Sequence, residues 1–343
     1  MAKSKYYNYN KVCSYNAIYN LIAGGRGIGK TFGAKEKAIV NAIKKGEQFI
    51  YLRRYKTELQ AAVDTFFADI VARNLFPEWD FKVHGKQAFM SPIHMRDDKK
   101  RQWTLIGYFI ALSTAQNQKS VAFPLVTMII YDEFIIEKNT MHYLPNEATV
   151  FNNFYSTVNR DDNGRVKVFF LANSVSITNP YFVEWRIEPK AGEEWLRLFD
   201  GFIVCHFPKS EEFNSEFYKT RFGKFIEGSE YANYAVENNF ADNHDGLLER
   251  KTSRATYLMT LESRYGTLSI WHDVTNGKYY VQDSLPKRQN IYTMLLERMQ
   301  EDKTFITYNN RILQNLRTAF AGDKMRFDKA ATRQNFFDIF RNA

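Results

Sequence analysis

The first 207 residues contain short, mainly apolar runs that are separated by polar or amphipathic stretches. Such runs are typical of strands that are buried on both faces of a parallel sheet. They lie at 18–23, 48–52, 125–131, 166–172 and 202–207. The pattern also predicts a hairpin, with strands near 87–95 and 103–113 joined by the basic turn at 96–101.

Apolar positions at helical spacing lie between these strands. They predict a helix over 31–45, a long helix over 57–75 that Thr57 can cap, and a further helix near 146–158. Strands that alternate with helices are typical of a parallel sheet covered on both faces. We therefore expect residues 1–207 to form one α/β domain with a mainly parallel sheet.

The pattern changes after residue 207. Residues 208–245 are acidic and include a predicted helix at 229–238, which is typical of a linker. Residues 246–343 predict a small α+β domain, because strands come first and helices follow. Its elements are predicted strands at 256–261, 267–273 and 279–283, an Asn-Gly turn at 274–278, and helices at 309–321 and 329–341.

Charge follows the same division. The formal net charge is +9, made up of +7 over 1–207, −4 over 208–245 and +6 over 246–343. Two basic blocks suit a polyanionic partner such as a nucleic acid. Many basic proteins bind no nucleic acid, so charge alone leaves that alternative open.

Composition excludes several classes of protein. Hydrophobic residues make up 45% and charged residues 25% of the 343-residue chain, which excludes a disordered or collagen-like chain. No apolar run approaches the roughly 20 residues of a membrane span, and the N-terminus lacks the apolar stretch of a secretory signal. Two cysteines make no disulfide framework, and the six histidines show no metal-ligand spacing. We expect a soluble protein of a reducing compartment.

A glycine-rich segment between the first predicted strand and helix matches the phosphate-loop pattern G-x-x-x-x-G-K-[ST]. Its residues are Gly24, Gly25, Arg26, Gly27, Ile28, Gly29, Lys30 and Thr31. Glycines let backbone N–H groups turn towards phosphate oxygens, and the helix N-terminus adds a favourable dipole. Lys30 is expected to contact the β- and γ-phosphates of ATP, and the Thr31 hydroxyl to contact Mg²⁺. The alternative is a chance glycine-rich turn.

Two adjacent acids, Asp132 and Glu133, follow the apolar run at 125–131. Carboxylates at the end of a buried strand are costly unless a cation or water meets them. We expect Asp132 to hold Mg²⁺ and Glu133, with its side chain pointing the other way, to polarise the attacking water. A strand that ends at the surface with two solvated acids is the alternative.

Two further polar residues are candidates. Asn173 follows the run at 166–172, where it can sense the γ-phosphate or the attacking water, although it also suits a turn cap. Arg160 ends the helix near 146–158, where it can reach a nucleotide in a neighbouring subunit, or else be a solvated arginine at a helix end.

Taken together, these segments resemble the genome-packaging ATPase of small, short-tailed phages with protein-primed linear DNA. The resemblance covers nearly the whole chain, is densest over residues 1–230, and is specific as a joint set. The segments that carry it are 24–31, 46–56, 131–135, 143–147, 173–176, 179–182, 220–223 and, more thinly, 271–274.

This resemblance implies a P-loop ATPase of the ASCE (RecA-like) class that forms a homopentameric ring at the portal vertex of an empty capsid. Such a motor drives double-stranded DNA inward with ATP, and a ring of phage-encoded RNA lies between the portal protein and the ATPase. We would therefore expect the protein in the host cytoplasm and transiently at the portal vertex, with no membrane partner.

Residue roles carried over from the resemblance agree with the reading above for Lys30, Thr31, Asp132 and Glu133. The resemblance also implies that Arg160 is a trans-acting arginine finger and that Lys119 is a second trans-acting cation. Two features depart from the family: Asp162 stands where a second arginine can occur, and the hairpin around 96–101 is longer.

The C-terminal domain implied by the resemblance is a degenerate RNase H-type nuclease. A two-metal nuclease needs at least three carboxylates around paired metals, yet only Asp273 and Asp283 lie clearly on the predicted hairpin strands. We therefore predict no nuclease activity, and expect the +6 charge to hold a nucleic-acid backbone.

Two other functions stay open from the sequence. One is a P-loop kinase, against which the adjacent acids and the basic C-terminal domain argue. The other is a nucleic-acid-binding module with a vestigial nucleotide site. For a packaging motor, DNA contacts should fall on phosphates rather than base edges, and the candidate contacts are Lys138 and the turn at 96–101.

Overall fold

A computed structural model describes most of the chain. The residues that it describes are 7–118, 120–136, 142–160, 164–173, 179–187, 189, 193–208, 215, 217–227, 247–283, 290–307 and 309–341. The chain divides into two units, the first formed by Met1–Val175 with Gly192–Asn239 and the second by Ser176–Ala191 with Phe240–Ala343. The predicted boundaries at 207 and 245 do not coincide with this division.

A nine-stranded sheet forms the centre of the first unit. Its strands are β1 (Tyr19–Ala23), β2 (Gln48–Arg53), β3 (Trp79–His84), β4 (Gln87–Pro92), β5 (Thr104–Ala111), β6 (Val126–Asp132), β7 (Lys167–Ala172), β8 (Trp195–Leu198) and β9 (Ile203–His206). The spatial order is β3-β4-β5-β2-β6-β7-β1-β9-β8. The six strands from β5 to β9 in this order are parallel, while β3, β4 and β8 are antiparallel additions at the edges. The predicted α/β class with a mainly parallel sheet is confirmed.

Helices flank or connect these strands and those of the second unit. They are α1 (Tyr9–Ser14), α2 (Lys30–Lys45), α3 (Lys56–Val63), α4 (Ala68–Ala72), α5 (Glu147–Val158), α6 (Pro180–Glu184), α7 (Arg221–Ile226), α8 (Arg311–Ala321) and α9 (Ala330–Arg341). Short 3₁₀ segments add Ile93–Met95, Leu112–Gln118, Phe199–Gly201 and Leu296–Arg298.

The single helix predicted over 57–75 is wrong, because the chain forms α3 and α4 with a turn between them. The break lies at 64–67, where the N–H groups of Phe66 and Ala68 bond three residues back. The Phe66 carbonyl instead accepts a bond of 3.0 Å from Lys35 Nζ on α2. Phe66 and Phe67 are both buried, so the turn directs two adjacent rings into the core.

Burial on both faces explains the apolar runs of the central strands. All five residues of β1 are buried, as are Val126 and the last five residues of β6. On one side of the sheet the buried residues Ala34, Ala38 and Ile39 of α2 join a continuous apolar cluster with residues of β2, β6 and β7. This cluster fixes α2 against one face of the sheet.

A six-stranded sheet forms the second unit. Its strands are β10 (Thr256–Ser263), β11 (Gly266–Asp273), β12 (Lys278–Gln282), β13 (Ile291–Thr293), β14 (Lys303–Phe305) and β15 (Met325–Phe327). The order is β14-β13-β10-β11-β12-β15; β10, β11 and β12 form an antiparallel meander, and the outer strands pair in parallel. Helices α8 and α9 place Phe320 and Phe336 against Phe327. An ion pair between Arg317 and Glu184 joins α8 to α6.

The remaining differences concern short or half-exposed elements. Strands β3, β8, β13, β14 and β15 are not predicted from the sequence. β13, β14 and β15 contain three residues each, and β3 is mostly half exposed. None of these four strands therefore gives a clear alternation of apolar and polar residues. The helix predicted at 229–238 lies outside the described residues, and α7 lies earlier in the same acidic segment. No helix among the described residues is both long and apolar enough for a membrane span.

Candidate functional site

The glycine-rich loop joins β1 to α2, as the sequence predicts. Gly27 and Gly29 have φ values of +82° and +83°, which lie in the left-handed region that glycine adopts without strain. The Gly24 N–H donates to the Ala172 carbonyl at 3.2 Å, so the loop is anchored to the end of β7. The loop therefore opens at the carboxyl edge of the parallel strands.

Lys30 is buried, and its ammonium lies inside the loop. Nζ donates to the carbonyls of Gly24 and Gly25 at 2.8 and 2.7 Å. A mobile ammonium in this position provides a positive charge among backbone groups that can meet phosphate oxygens. The loop thus combines a positive charge with backbone groups, the two features that phosphate binding requires.

An N-terminal segment supports this loop, and sequence reasoning missed it. The Tyr7 N–H donates to the Ile28 carbonyl at 2.7 Å, and the Tyr9 hydroxyl donates to the Lys30 carbonyl at 2.6 Å. The Tyr9 ring also packs on Gly33, where an added Cβ would lie 2.8 Å from a ring carbon. Gly33 is therefore needed for this close approach of helix and ring.

Asp132 lies directly across from the start of α2. Its Oδ1 accepts a hydrogen bond of 3.0 Å from the Thr31 hydroxyl, and its Oδ2 accepts one of 2.7 Å from the buried Tyr51 hydroxyl on β2. The two residues that the sequence assigned to Mg²⁺ are thus in direct contact. Hydroxyl and carboxylate oxygens are ligands that Mg²⁺ prefers, so these residues fit the metal. When bound, Mg²⁺ would neutralise charge on the phosphates.

Arg53, the last residue of β2, contacts both acids at the end of β6. Its Nη1 donates to Asp132 Oδ2 at 3.3 Å, and its Nη2 donates to Glu133 Oε2 at 2.6 Å. The expectation that the Glu133 side chain points away from Asp132 is therefore wrong. Glu133 has a φ of +55°, so it leaves the strand conformation and the alternation of a strand no longer applies.

The charges of this cluster are coupled. Burial, followed by the nearby Asp132 carboxylate, raises the pKa of Tyr51 well above its ordinary value. Burial opposes the charged form of Arg53, yet Tyr51, Asp132 and Glu133 together raise the pKa of Arg53. Tyr51 is therefore a neutral hydrogen-bond donor and Arg53 a permanent cation at this site.

The other predicted residues lie in different places. Asn173 directly follows β7, and the Asn173 side chain is half buried. β7 lies between β1, which precedes the phosphate loop, and β6, which ends at Asp132. Arg160 is exposed and donates to the Val121 carbonyl at 3.3 Å, before the start of β6. Since β6 spans about 20 Å, Arg160 lies at the sheet edge opposite its own loop. Lys119 lies outside the described residues.

No group of three or more histidine, cysteine, aspartate or glutamate side chains that could hold a metal ion occurs within the described parts of the chain. The candidate Mg²⁺ contact rests instead on the Thr31 and Asp132 oxygens, which lie 3.0 Å apart.

Comparison with known proteins identifies the family of the chain. The family model for the podovirus DNA encapsidation protein (Gp16) matches residues 1–343. The chain belongs to this family. The family resemblance inferred from the sequence is thus confirmed. The DNA packaging protein of Bacillus phage phi29 is similar to this encapsidation-family chain, at 36% identity over 99% of this chain and 98% of that protein.

Solved structures are also similar to this chain in fold. The bacteriophage phi29 viral genome packaging motor assembly contains a chain that is 34% identical, with a TM-score of 0.60, over 98% of this chain and 99% of that one. The N-terminal domain of the DNA packaging ATPase from bacteriophage phi29 is 38% identical, with a TM-score of 0.53, over 61% of this chain and 100% of that one.

Sequence reasoning missed Tyr51, Arg53, Arg54 and Glu147 in this encapsidation-family protein. A signal was present, because β2 is an apolar run that ends in two arginines, just as β6 ends in two acids. The carboxyl ends of parallel neighbours meet at one edge, so opposite charges there are expected to pair. Glu147 lies in the segment 143–147 that carries the family resemblance, but nothing in the sequence indicated its pairing, because a glutamate in the first turn of a helix is ordinary.

Proposed function

We propose that this protein hydrolyses ATP with Mg²⁺ and uses the energy to move double-stranded viral DNA into a preformed capsid. Membership of the DNA encapsidation family supports the DNA-packaging part. The observation that carries the ATPase part is the contact of 3.0 Å between Thr31 and Asp132, which brings the phosphate loop to the acids at the end of β6.

Each site residue has a role in this proposal. Backbone N–H groups of the loop after Gly24 and the Lys30 ammonium bind the phosphates, and Thr31 and Asp132 hold Mg²⁺. Glu133 orients and polarises the attacking water as the general base, and its side chain is 46% exposed in reach of solvent. Asn173, at the edge between these groups, senses the γ-phosphate. The position of β7 between β1 and β6 supports assignment to the ASCE class.

Arg160 acts in trans in this proposal. Its exposed position near Val121, at the opposite edge from its own phosphate loop, supports contact with a nucleotide in a neighbouring subunit rather than its own. Lys119 is proposed as a second trans-acting cation. Such cations stabilise the charge that develops during phosphoryl transfer.

Assembly follows from the same family membership. We propose a homopentameric ring at the portal vertex, in contact with the portal protein and a phage-encoded packaging RNA, within the host cytoplasm. The similar phi29 chain belongs to a genome packaging motor assembly, which supports an oligomeric role.

The second unit is proposed to be a degenerate RNase H-like domain that binds nucleic acid without cutting it. Its β12-β11-β10-β13-β14 order, with an antiparallel meander followed by parallel strands, supports the fold. Two of its acids pair with lysines: Asp283 with Lys329 and Glu262 with Lys303, both at 2.9 Å. Hydrogen bonds from Thr252 and then Thr275 lower the pKa of Asp273 to about 2, as suits a residue that holds a turn.

This assignment can be tested with the full chain. No Mg²⁺- or Mn²⁺-dependent cleavage of duplex DNA is expected. Metal-dependent cleavage that disappears in Asp273→Ala would show an active nuclease and sink this part of the proposal.

DNA contact is proposed to fall mainly on phosphates, so binding should weaken steeply with salt. In the basic turn, Arg96 and Arg101 both pair with Asp80, and the Arg101 guanidinium also lies 4.2 Å from the Trp103 ring centroid. This engagement leaves Lys99 and Lys100, which are exposed, as the better candidates for contacts from this turn. Lys138 lies outside the described residues.

The deciding experiment measures ATP hydrolysis by the purified protein with and without duplex DNA. We expect hydrolysis that rises with DNA and is lost in Lys30→Ala and Glu133→Gln. Transfer of the γ-phosphate to a small acceptor, with no response to DNA, would favour the kinase alternative. Hydrolysis that is unchanged in Glu133→Gln would favour a vestigial nucleotide site.

A further inference from the structure

A fully buried ion pair lies directly behind Glu133. Arg54 follows the last residue of β2, and Glu147 is the first residue of α5; their side chains are 2% and 0% exposed. Arg54 Nε donates to both Glu147 carboxylate oxygens, at 3.0 and 2.8 Å.

Further hydrogen bonds reach Glu147 from two other parts of the chain. The Tyr131 hydroxyl of β6 donates to Oε1 at 2.8 Å, and the Leu144 N–H donates to Oε2 at 2.8 Å. The position at the start of α5 adds the favourable helix dipole. The Glu147 carboxylate is therefore held in place by groups from β6, from the end of β2 and from the segment before α5.

Arg54 uses its remaining N–H groups on the backbone after β6. Nη1 donates to the Glu133 carbonyl at 3.2 Å and Nη2 to the Phe134 carbonyl at 2.6 Å. The Phe134 N–H donates to the Leu171 carbonyl at 3.1 Å. The Tyr143 ring lies 4.9 Å from the Arg54 guanidinium carbon. Arg54 thus fixes the peptide groups on the carboxyl side of Glu133.

That backbone needs support, because Glu133 has a φ of +55°. A non-glycine residue in the left-handed region is strained, because its Cβ lies too close to backbone atoms. Such strain persists only where the surroundings hold it, and it is common at functional sites. Burying two charges is also costly, and apolar residues of similar size are often equally stabilising. Stability alone therefore does not account for this pair.

We propose that Arg54 and Glu147 are positioning residues for Glu133. Arg54 holds the left-handed conformation that directs the Glu133 carboxylate into the site, and Glu147 holds the Arg54 guanidinium in place. This proposal rests on the proposed function only for its effect on turnover. Its effect on the backbone after β6 is independent of any activity.

The test uses the full-length protein with Arg54 and Glu147 both replaced by methionine. Removing one partner of a buried pair leaves an unpaired buried charge and is strongly destabilising, whereas an apolar pair avoids that cost. Replacement of Lys303 and Glu262 by methionine, an ion pair in the second unit that is also mostly buried, is the matched control.

Two measurements are made on each variant. Hydrogen–deuterium exchange of residues 130–136 reports the Phe134 N–H bond, and residues 24–31 serve as an internal reference. Steady-state ATP hydrolysis gives kcat and KM. For the Arg54 and Glu147 variant we expect faster exchange over 130–136 but not over 24–31, kcat lowered about tenfold or more, and KM changed less than about threefold. The control should match the wild type in both.

Unchanged exchange over 130–136 would overturn the proposal, as would a kcat within about twofold of wild type despite faster exchange. If the double variant does not fold, Arg54→Lys decides, since it keeps a charge opposite Glu147 but cannot bond to both carbonyls. That variant must then show the same faster exchange and loss of kcat. Absence of ATP hydrolysis in the wild type would contradict the proposed function. Hydrogen–deuterium exchange over 130–136 would still test whether Arg54 and Glu147 position the backbone after Glu133.

Discussion

The Thr31 hydroxyl lies 3.0 Å from Asp132 Oδ1, although the two residues are 101 positions apart in the chain. β1 and β6 bring them together, because β7 alone separates these strands and all three are parallel. The contact joins the start of α2 to the end of β6. It provides two oxygens on one side of the loop where a nucleotide-bound cation would lie.

Loss of either oxygen should weaken the contribution of Mg²⁺ to nucleotide binding. In Thr31→Ala and Asp132→Asn we expect the Mg²⁺-dependent gain in ATP affinity to fall by at least about tenfold. Chelation with EDTA should reduce the wild type to the same level. Fluorescent-nucleotide titrations with and without Mg²⁺ measure this. Thr31→Ser keeps the hydroxyl and is the matched control; a loss there as large as in Thr31→Ala would contradict the assignment.

Tyr51 should affect the same equilibrium without touching the metal. Its hydroxyl holds Asp132 Oδ2 at 2.7 Å, and partners that orient metal ligands are worth about 10–100-fold in metal affinity. We expect Tyr51→Phe to raise the Mg²⁺ concentration needed for half-maximal ATP binding about tenfold. Tyr108→Phe, a half-buried tyrosine on β5, is the control. An unchanged Mg²⁺ requirement in Tyr51→Phe would show that Asp132 needs no such support.

Arg160 provides a test of catalysis between subunits. Because it lies at the edge opposite its own loop, Arg160→Ala should bind ATP normally and lose turnover. A mixture of Arg160→Ala with Glu133→Gln should recover some hydrolysis, since mixed interfaces can contain one intact set of groups. Steady-state assays across mixing ratios measure the recovery. Lys44→Ala, an exposed cation on α2, should not change turnover. A mixture as inactive as its components would argue against action in trans.

His206, at the end of β9, predicts a pH dependence of stability. Burial lowers the pKa of His206 to about 4, and a bond of 3.1 Å to Glu194 only partly offsets this. As the pH falls, His206 therefore becomes protonated near pH 6.5 in the unfolded chain but only near pH 4 in the folded chain. Stability should be fully present above about pH 7 and fall as the pH decreases through this window. The loss from pH 7 to pH 5 is about 2 kcal/mol.

Urea denaturation of the wild type and His206→Gln at pH 7 and pH 5 isolates this effect. The variant cannot titrate at this position, so its stability should decrease less on acidification. Equal losses in the two proteins would show that His206 is not the group responsible.

Gly33→Ala tests the packing under the phosphate loop. The new Cβ would lie 2.8 Å from the Tyr9 ring, so we expect the free energy of unfolding to fall by about 1–3 kcal/mol. In a Tyr9→Leu background the same change should cost clearly less, because the ring is gone. Chemical denaturation of the four proteins measures this coupling. Additive effects would mean that the clash does not determine the cost.

The sequence predicted the parts of the site that are contiguous along the chain. The phosphate loop is one eight-residue segment, and Asp132 and Glu133 end one apolar run, so local patterns were sufficient. The orientation of Glu133 was not predictable in this way. It depends on a positive φ that Arg54 and Arg53 support from a neighbouring strand, and the strand period does not contain that information.

The fold shows the same limit. Long buried strands such as β6 were predicted within one residue, because burial on both faces leaves a continuous apolar run. The break between α3 and α4 was missed, since Leu59, Val63, Phe66 and Ile70 keep helical spacing across it. The Lys35 ammonium, from another helix, takes the Phe66 carbonyl that a continuous helix would have used. Contacts between distant segments decide such cases.

The placement of Arg160 bears on how many copies can work at once. Under the proposed assignment every copy lends a guanidinium to one neighbour and borrows one from the other. An open row therefore always leaves a nucleotide at one end without its borrowed charge, whereas closing the row into a circle completes every position. ATP hydrolysis per copy should then rise abruptly when the last gap closes. The geometry itself would thus prevent unassembled copies from hydrolysing ATP.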